Sequence, residues 1–324
     1  MPTREEKNSI GGLLGMQLAM LAFLNSPIII LSIVFLILAN RRIKFDCNLR
    51  CVEYFAGVGA VCGVFENSGY DVYKYEILRE PKHNDILSDV GFAEAVRVAL
   101  NMAPGGCCVM GPVCSSWVHW CMGTSGRRKW RPLGDQSKPW VQKANTMVSR
   151  VMLLVRILQS RGVFWVLEQP ASSLMVHHPR FQELINDMDV HSVRMYMGNF
   201  GAETEKATIL YSGSPEVKKI GGQKRRPHLH CPNKLVDESV DATGATKATG
   251  NSRLKMSQAY PRAFGFAIRK IWDEHKRIFI KRHRKLQDQT LDAGLEVNAF
   301  DQPSNRKEHW ADAKLDNVIK YLQQ

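Results

Sequence analysis

The chain has 324 residues, 44% of them hydrophobic, with eight cysteines and a formal charge of +13 from 44 Lys and Arg against 31 Asp and Glu. That length and apolar fraction support one large folded unit with appendages and exclude a disordered chain. The cysteines lack the spacing of a small disulfide scaffold, and the charge favours polyanionic partners, nucleic acid or an acidic membrane face.

Residues 8–40 carry no charged side chain, and residues 13–39 form an apolar run long enough to span a bilayer, interrupted at Asn25-Ser26-Pro27. Arg41, Arg42 and Lys44 follow directly. By the positive-inside rule the expectation is an intracellular protein anchored in a membrane, with the rest of the chain on the cytosolic or nuclear side. A buried apolar hairpin, or a leading segment that is not part of the natural product, are the alternatives.

After Asp46, short apolar runs alternate with amphipathic stretches, the pattern of an α/β fold with a doubly wound, mostly parallel sheet. Strands are expected at 51–55, 70–76, 107–110 and 163–167, and a final pair at 190–197 and 206–211. Helical spacing covers 61–68, 92–101, 140–159 and 261–286. The resulting divisions are an amino-terminal segment 1–45, a core 46–211, a polar basic insert 212–258, a closing helix 259–290 and a tail 291–324.

Three places carry chemistry. The strand end Val52-Glu53-Tyr54-Phe55 runs into Ala56-Gly57-Val58-Gly59, where glycines let the backbone approach a ligand. Glu76, ending the second strand, is placed to accept ribose hydroxyls, and Asp85 in the turn Asn84-Asp85-Ile86 to accept an adenine amino group. Next comes Gly111-Pro112-Val113-Cys114-Ser115-Ser116-Trp117, a cysteine on a loop directly after a strand, which suits a nucleophile. Arg127, Arg128, Lys129 and Arg131 follow it and are expected to favour the thiolate. The third is Trp165-Val166-Leu167-Glu168-Gln169-Pro170, where a carboxylate ends an apolar strand and burial would fit it to donate a proton. Cys47, Cys51, Cys107, Cys108 and the His228-Leu229-His230-Cys231 cluster form no paired CxxC set, so no metal site is expected.

In order and content these segments resemble the cytosine-C5 DNA methyltransferase family over roughly residues 48–273. The resemblance implies a Rossmann-like fold of the S-adenosylmethionine-dependent type, with Phe55, Ala56, Gly57, Gly59, Glu76, Asp85, Ile86 and Pro112 around that cofactor. It implies Cys114 as the nucleophile that adds to C6 of cytosine and Glu168 as the group that protonates N3, and the segment from Tyr260-Pro261 to Ile268 as a closing motif. Val113 stands where the family has proline, Gln169-Pro170 where it has Asn-Val, and Glu203-Thr204-Glu205-Lys206 where it has Gln-x-Arg-x-Arg.

Ser116, Arg127, Arg128, Lys129, Arg131 and Lys206 are the expected nucleic-acid contacts. Trp117, Trp120, Trp130 and Trp140 interleave with the basic residues after Cys114, as a polynucleotide partner requires. DNA is the expected substrate. The alternatives are an RNA-methylating enzyme of the same chemistry, or a non-catalytic cofactor- and nucleic-acid-binding protein tethered to a membrane.

Overall fold

The computed structural model describes residues 46–221, 236–240, 244, 246–250, 254 and 258–292. Six strands form one sheet: β1 (Leu49–Tyr54), β2 (Val72–Tyr75), β3 (Met102–Met110), β4 (Phe164–Pro170), β5 (His191–Tyr196) and β6 (Ala207–Ser212). Their order is β2-β1-β3-β4-β6-β5. The first four are mutually parallel, whereas β6 runs antiparallel to both β4 and β5. This is a mixed α/β fold with a mostly parallel sheet, compatible with a Rossmann-like architecture.

Helices α1 (Ala60–Glu66), α2 (Asp89–Leu100), α3 (Pro139–Ser160), α4 (Pro179–Asp187) and α5 (Arg262–Asp292) cover the sheet. Strand alternation separates two cores. Val52, Tyr54, Cys108, Met110, Trp165 and Leu167 face α2, α3 and α4. Cys51, Cys107, Val109, Phe164 and Val166 face α1, α5 and the turn Pro215–Ile220. Being buried on both faces, the first four residues of β4, Phe164 to Leu167, read as an unbroken apolar run.

The helix ends follow from local chemistry. Ser88 Oγ accepts the Gly91 amide at the start of α2, and Pro139 opens α3, where a missing N–H costs nothing. Helix α1 has no side-chain cap of its own. Instead Glu53, on β1, reaches up so that Oε2 accepts the Val61 and Cys62 amides at 3.1 and 2.9 Å.

Two elements go beyond the sequence expectation. Helix α4 is short and buries only Phe181 and Leu184, too few apolar residues to stand out in the sequence. Strands β7 (Val236–Val240) and β8 (Thr246–Gly250) pair as an antiparallel hairpin inside the polar insert, separate from the main sheet. Among the described residues no helix is long and apolar enough to cross a membrane. Residues 13–39, where the sequence places a span, lie outside the described residues.

Helix α5 seals one face with Phe264, Ile268, Ile271 and Trp272, the spacing of a single helical stripe. Trp272 packs on Phe65 and Tyr70 at 5.0 and 5.7 Å between ring centroids and donates its indole N–H to Gly105 O at 2.8 Å. Trp272→Ala is expected to destabilise the fold by about 3–5 kcal/mol, the usual range for emptying a buried aromatic site. Urea unfolding of the variant beside the parent measures it.

Candidate active site at the carboxyl edge of the sheet

From β1 the chain passes through α1 to β2 on one side. From β2 it passes through α2, on the opposite face, to β3 on the other side of β1. The two connections diverge at β1, and the crevice they leave opens beyond the carboxyl ends of β1 and β3. The glycine loop and the cysteine loop both emerge there.

In the first loop Phe55, Gly57 and Gly59 have φ of 60°, 51° and 74°. Phe55 takes this conformation without the freedom of glycine, a strain that folds tend to retain at ligand sites. A Cβ added to Gly57 would meet nothing within 4 Å, so that residue borders open space; at Gly59 it would lie 2.9 Å from the Lys74 side chain. Ala56 is buried and its amide donates to Tyr75 O at 3.2 Å. Glu76 ties β2 to this loop: Oε2 accepts the Gly57 amide at 2.8 Å and Oε1 the Leu78 amide at 3.2 Å. Arg79 crosses the same loop, donating to the Gly57 and Val58 carbonyls, both at 3.3 Å. Asp85 Oδ1 accepts the Leu87 amide at 2.9 Å inside its own turn, and Ile86 beside it is buried.

The second loop brings Cys114 to Glu168. Burial first, then the Glu168 carboxylate, push the Cys114 thiol above its ordinary value, and Lys206 opposes them. Among the charges acting most strongly on the thiol, the cation is therefore Lys206 rather than the arginine run after the loop. Lys206 Nζ stands 3.2 Å from Glu168 Oε1 in an ion pair without hydrogen-bond alignment. Glu168 Oε2 accepts the Tyr260 hydroxyl at 3.1 Å. Gly111 makes room for this contact, because a Cβ there would lie 2.3 Å from the Tyr260 hydroxyl oxygen. Lys206 itself has φ of 27°, a second strained non-glycine position at this edge.

Gln169, which stands where the resembled family has asparagine, fastens the loop. It is buried; its Nε2 donates to Pro112 O at 2.9 Å and its Oε1 accepts Ser173 Oγ at 2.9 Å. Pro112 is buried and Val113 exposed.

Of the expected nucleic-acid contacts, Ser116 and Arg127 turn inward. Arg127 is fully buried, stacks on the Trp117 ring at 3.4 Å, and donates to Ser116 O and Oγ, Pro132 O, Asn145 Oδ1 and Val141 O. Burial lowers it to about 10, which leaves it charged at neutral pH. Arg128 donates to Met122 O and Arg127 O, while Lys129 and Arg131 stay exposed. A run of four basic residues thus divides into one internal clamp, one brace and two exposed cations.

Glu53 is the buried carboxylate that sequence reasoning passed over. Its Oε1 has no hydrogen-bond partner among the described residues, and burial raises it to about 7 against the pull of the two α1 amides. The parity of β1 carries the signal, since Glu53 shares a face with the buried Cys51.

No protein-family model, no curated protein and no solved structure matches this chain.

Two outcomes follow from these groups. Glu53 binds its proton more tightly folded than unfolded, so its contribution is full below the unfolded value and fades as pH rises through about 7. Glu53→Gln has no such loss. Its stability relative to the parent should climb by up to about 3 kcal/mol between about pH 4 and 7, read by urea unfolding across pH. At Cys114, Glu168→Gln removes the opposing charge and Lys206→Met the helping one. The iodoacetamide-labelling midpoint of the Cys114 peptide should move to lower pH in the first variant and to higher pH in the second, as followed by mass spectrometry.

Proposed function

We propose that this chain is an S-adenosylmethionine-dependent methyltransferase acting on C5 of cytosine in a polynucleotide, DNA first. The observation that carries the reading is the meeting of Cys114, Glu168 and Lys206 at the mouth of the crevice that the glycine loop borders. C5 of cytosine is a poor nucleophile, and a thiolate added at the neighbouring carbon turns it into an enamine-like centre.

The crevice suits the cofactor. Gly57 borders open space, and Glu76 is held at the end of β2 by the same loop, where a ribose would lie. When bound, the cofactor supplies an electrophilic methyl group on a sulfonium. Phe55, Ala56, Gly57, Gly59 and Pro112 would form its walls, with Glu76 toward the ribose and Asp85 and Ile86 toward the base.

The chain's own residues carry the rest. The Cys114 thiolate adds to C6 while Glu168 gives its proton to N3, so the electron pair of the C5–C6 bond becomes available at C5 for the methyl. That pair becomes the bond to the methyl; the C5 proton then passes to solvent water, the C5–H pair reforms the C5–C6 double bond and expels the thiolate, and N3 returns its proton to Glu168. Lys206, beside both groups, offsets the negative charge they share. Tyr260 holds the carboxylate in place throughout.

The decisive experiment uses an oligonucleotide carrying 5-fluorocytosine, whose fluorine blocks the final elimination and traps the C6–S bond. The parent chain should form a stable adduct, and Cys114→Ser should still bind S-adenosylmethionine yet form none. An adduct of equal yield in the serine variant would sink the proposal. Labelled methyl transfer to DNA and to RNA, run side by side, identifies the substrate class.

A further inference from the structure

Of the tryptophans that follow Cys114, Trp117 is buried under Arg127, while Trp120 and Trp130 are 73% and 83% exposed. An indole is a large apolar surface to leave in water, and here two lie on one short segment of the chain. Trp130 sits at the tip of a tight hairpin whose base is the reciprocal pair of backbone hydrogen bonds between Arg128 and Arg131, at 3.1 and 3.0 Å.

This hairpin is braced from beneath. Arg127, next to it in sequence, is the buried clamp, gripping Ser116 beside the Cys114 loop and Val141 and Asn145 on α3. Arg128 donates to Met122 O at 2.9 Å, which ties the hairpin to the helical turn that continues from Trp120. The two exposed indoles are therefore carried on one fixed support. Order is already present before any ligand arrives, so little conformational entropy is lost on binding.

Charge selects the ligand. Lys129 and Arg131 flank Trp130 and are exposed; Lys129 acts on His177, which places it over the segment leading into α4. The groove beside Trp130 is lined by Pro132, Leu133, Gly134 and Pro179, and its one acid, Asp135, is engaged by Ser137 and Lys138. An aromatic face flanked by cations that have no ion pair among the described residues fits a nucleobase with its phosphates. Bases in a duplex have their faces already stacked, and freeing one costs a few kcal/mol, whereas a single strand offers them open.

We propose that the hairpin Arg128–Arg131 is a preformed stacking site for an unpaired base of single-stranded polynucleotide, outside the Cys114 pocket. Trp130 is the platform, and Lys129 and Arg131 hold the adjoining phosphates. This rests on the polynucleotide substrate of the proposed function but not on methyl transfer.

The test measures binding of fluorescein-labelled oligodeoxythymidylate to the full chain by anisotropy. A strand without cytosine leaves the chemistry at Cys114 out of the readout. Trp130→Ala should weaken binding about tenfold, the loss of one stacked base, and Trp130→Phe should restore most of it. Lys129→Ala and Arg131→Ala should each weaken binding and lower the salt slope by about 0.7. Because Trp130 is exposed, an unchanged melting temperature certifies that the alanine variant is folded. Equal binding by Trp130→Ala and the parent overturns the proposal, and so does a duplex that competes as well as the single strand. If the fluorocytosine adduct never forms but Trp130→Ala still weakens binding, the stacking site stands and the catalytic reading falls. The reverse pattern separates them in the other direction.

Discussion

The chain changes its winding direction at β1, and the placement of every functional group follows from that turn. A sheet wound one way only would carry its connections past the carboxyl edge and cover it. Here the departures toward β2 and β3 use opposite faces, and the edge between them stays open. Parallel register does the rest. Tyr54 pairs with Met110, and Met110 with Leu167, so the residues that follow, Phe55, Gly111 and Glu168, fall in one row along that edge. The glycine loop, the cysteine loop and the carboxylate come together although about a hundred residues separate the first from the last.

Once the row is set, strand alternation assigns the work. Glu168 and Gln169 are neighbours on β4 and point to opposite faces. The first turns toward the α5 side and meets Tyr260; the second turns the other way and grips Pro112. One strand end thus orients the carboxylate and steadies the loop that carries the cysteine. Arg127 completes the support. A buried guanidinium without a carboxylate partner is costly, and five neutral acceptors together with the Trp117 face offset that cost. Charge in this position needs fixed dipoles around it, so the segment from Ser116 to Asn145 is held to one arrangement.

Sequence made the strands, the glycine loop, the Pro-Val-Cys loop and Glu168 legible because each is a local event: an apolar run that ends in a turn or a polar residue. What it concealed is set by distance or by direction. The antiparallel course of β6 depends on which neighbour it finds, and nothing within Ala207–Ser212 encodes that. Arg127 belongs to a basic run that reads as uniformly exposed, and only the fold decides which arginine swings inward. Tyr260 and Glu168 lie 92 residues apart, so the closing segment could be anticipated but its hydroxyl on the carboxylate could not. Glu53 was hidden differently: the sequence shows an acid in a strand, and only the position of α1 above it reveals two amides in need of an acceptor.

The mutual influence of Cys114 and Glu168 bears directly on how the proposed reaction would start. Two anions side by side repel, and the thiol is raised partly for that reason. A proton on either group leaves the pair with one negative charge instead of two. With the proton on sulfur the site holds a thiol and a carboxylate, paired with Lys206. With it on oxygen the site holds a thiolate and a carboxylic acid, which is the combination that addition at C6 and protonation at N3 demand. The proposed addition therefore needs the proton to leave sulfur, against the burial and the carboxylate charge that hold it there. Lys206 stands beside both groups and offsets their negative charge in either form.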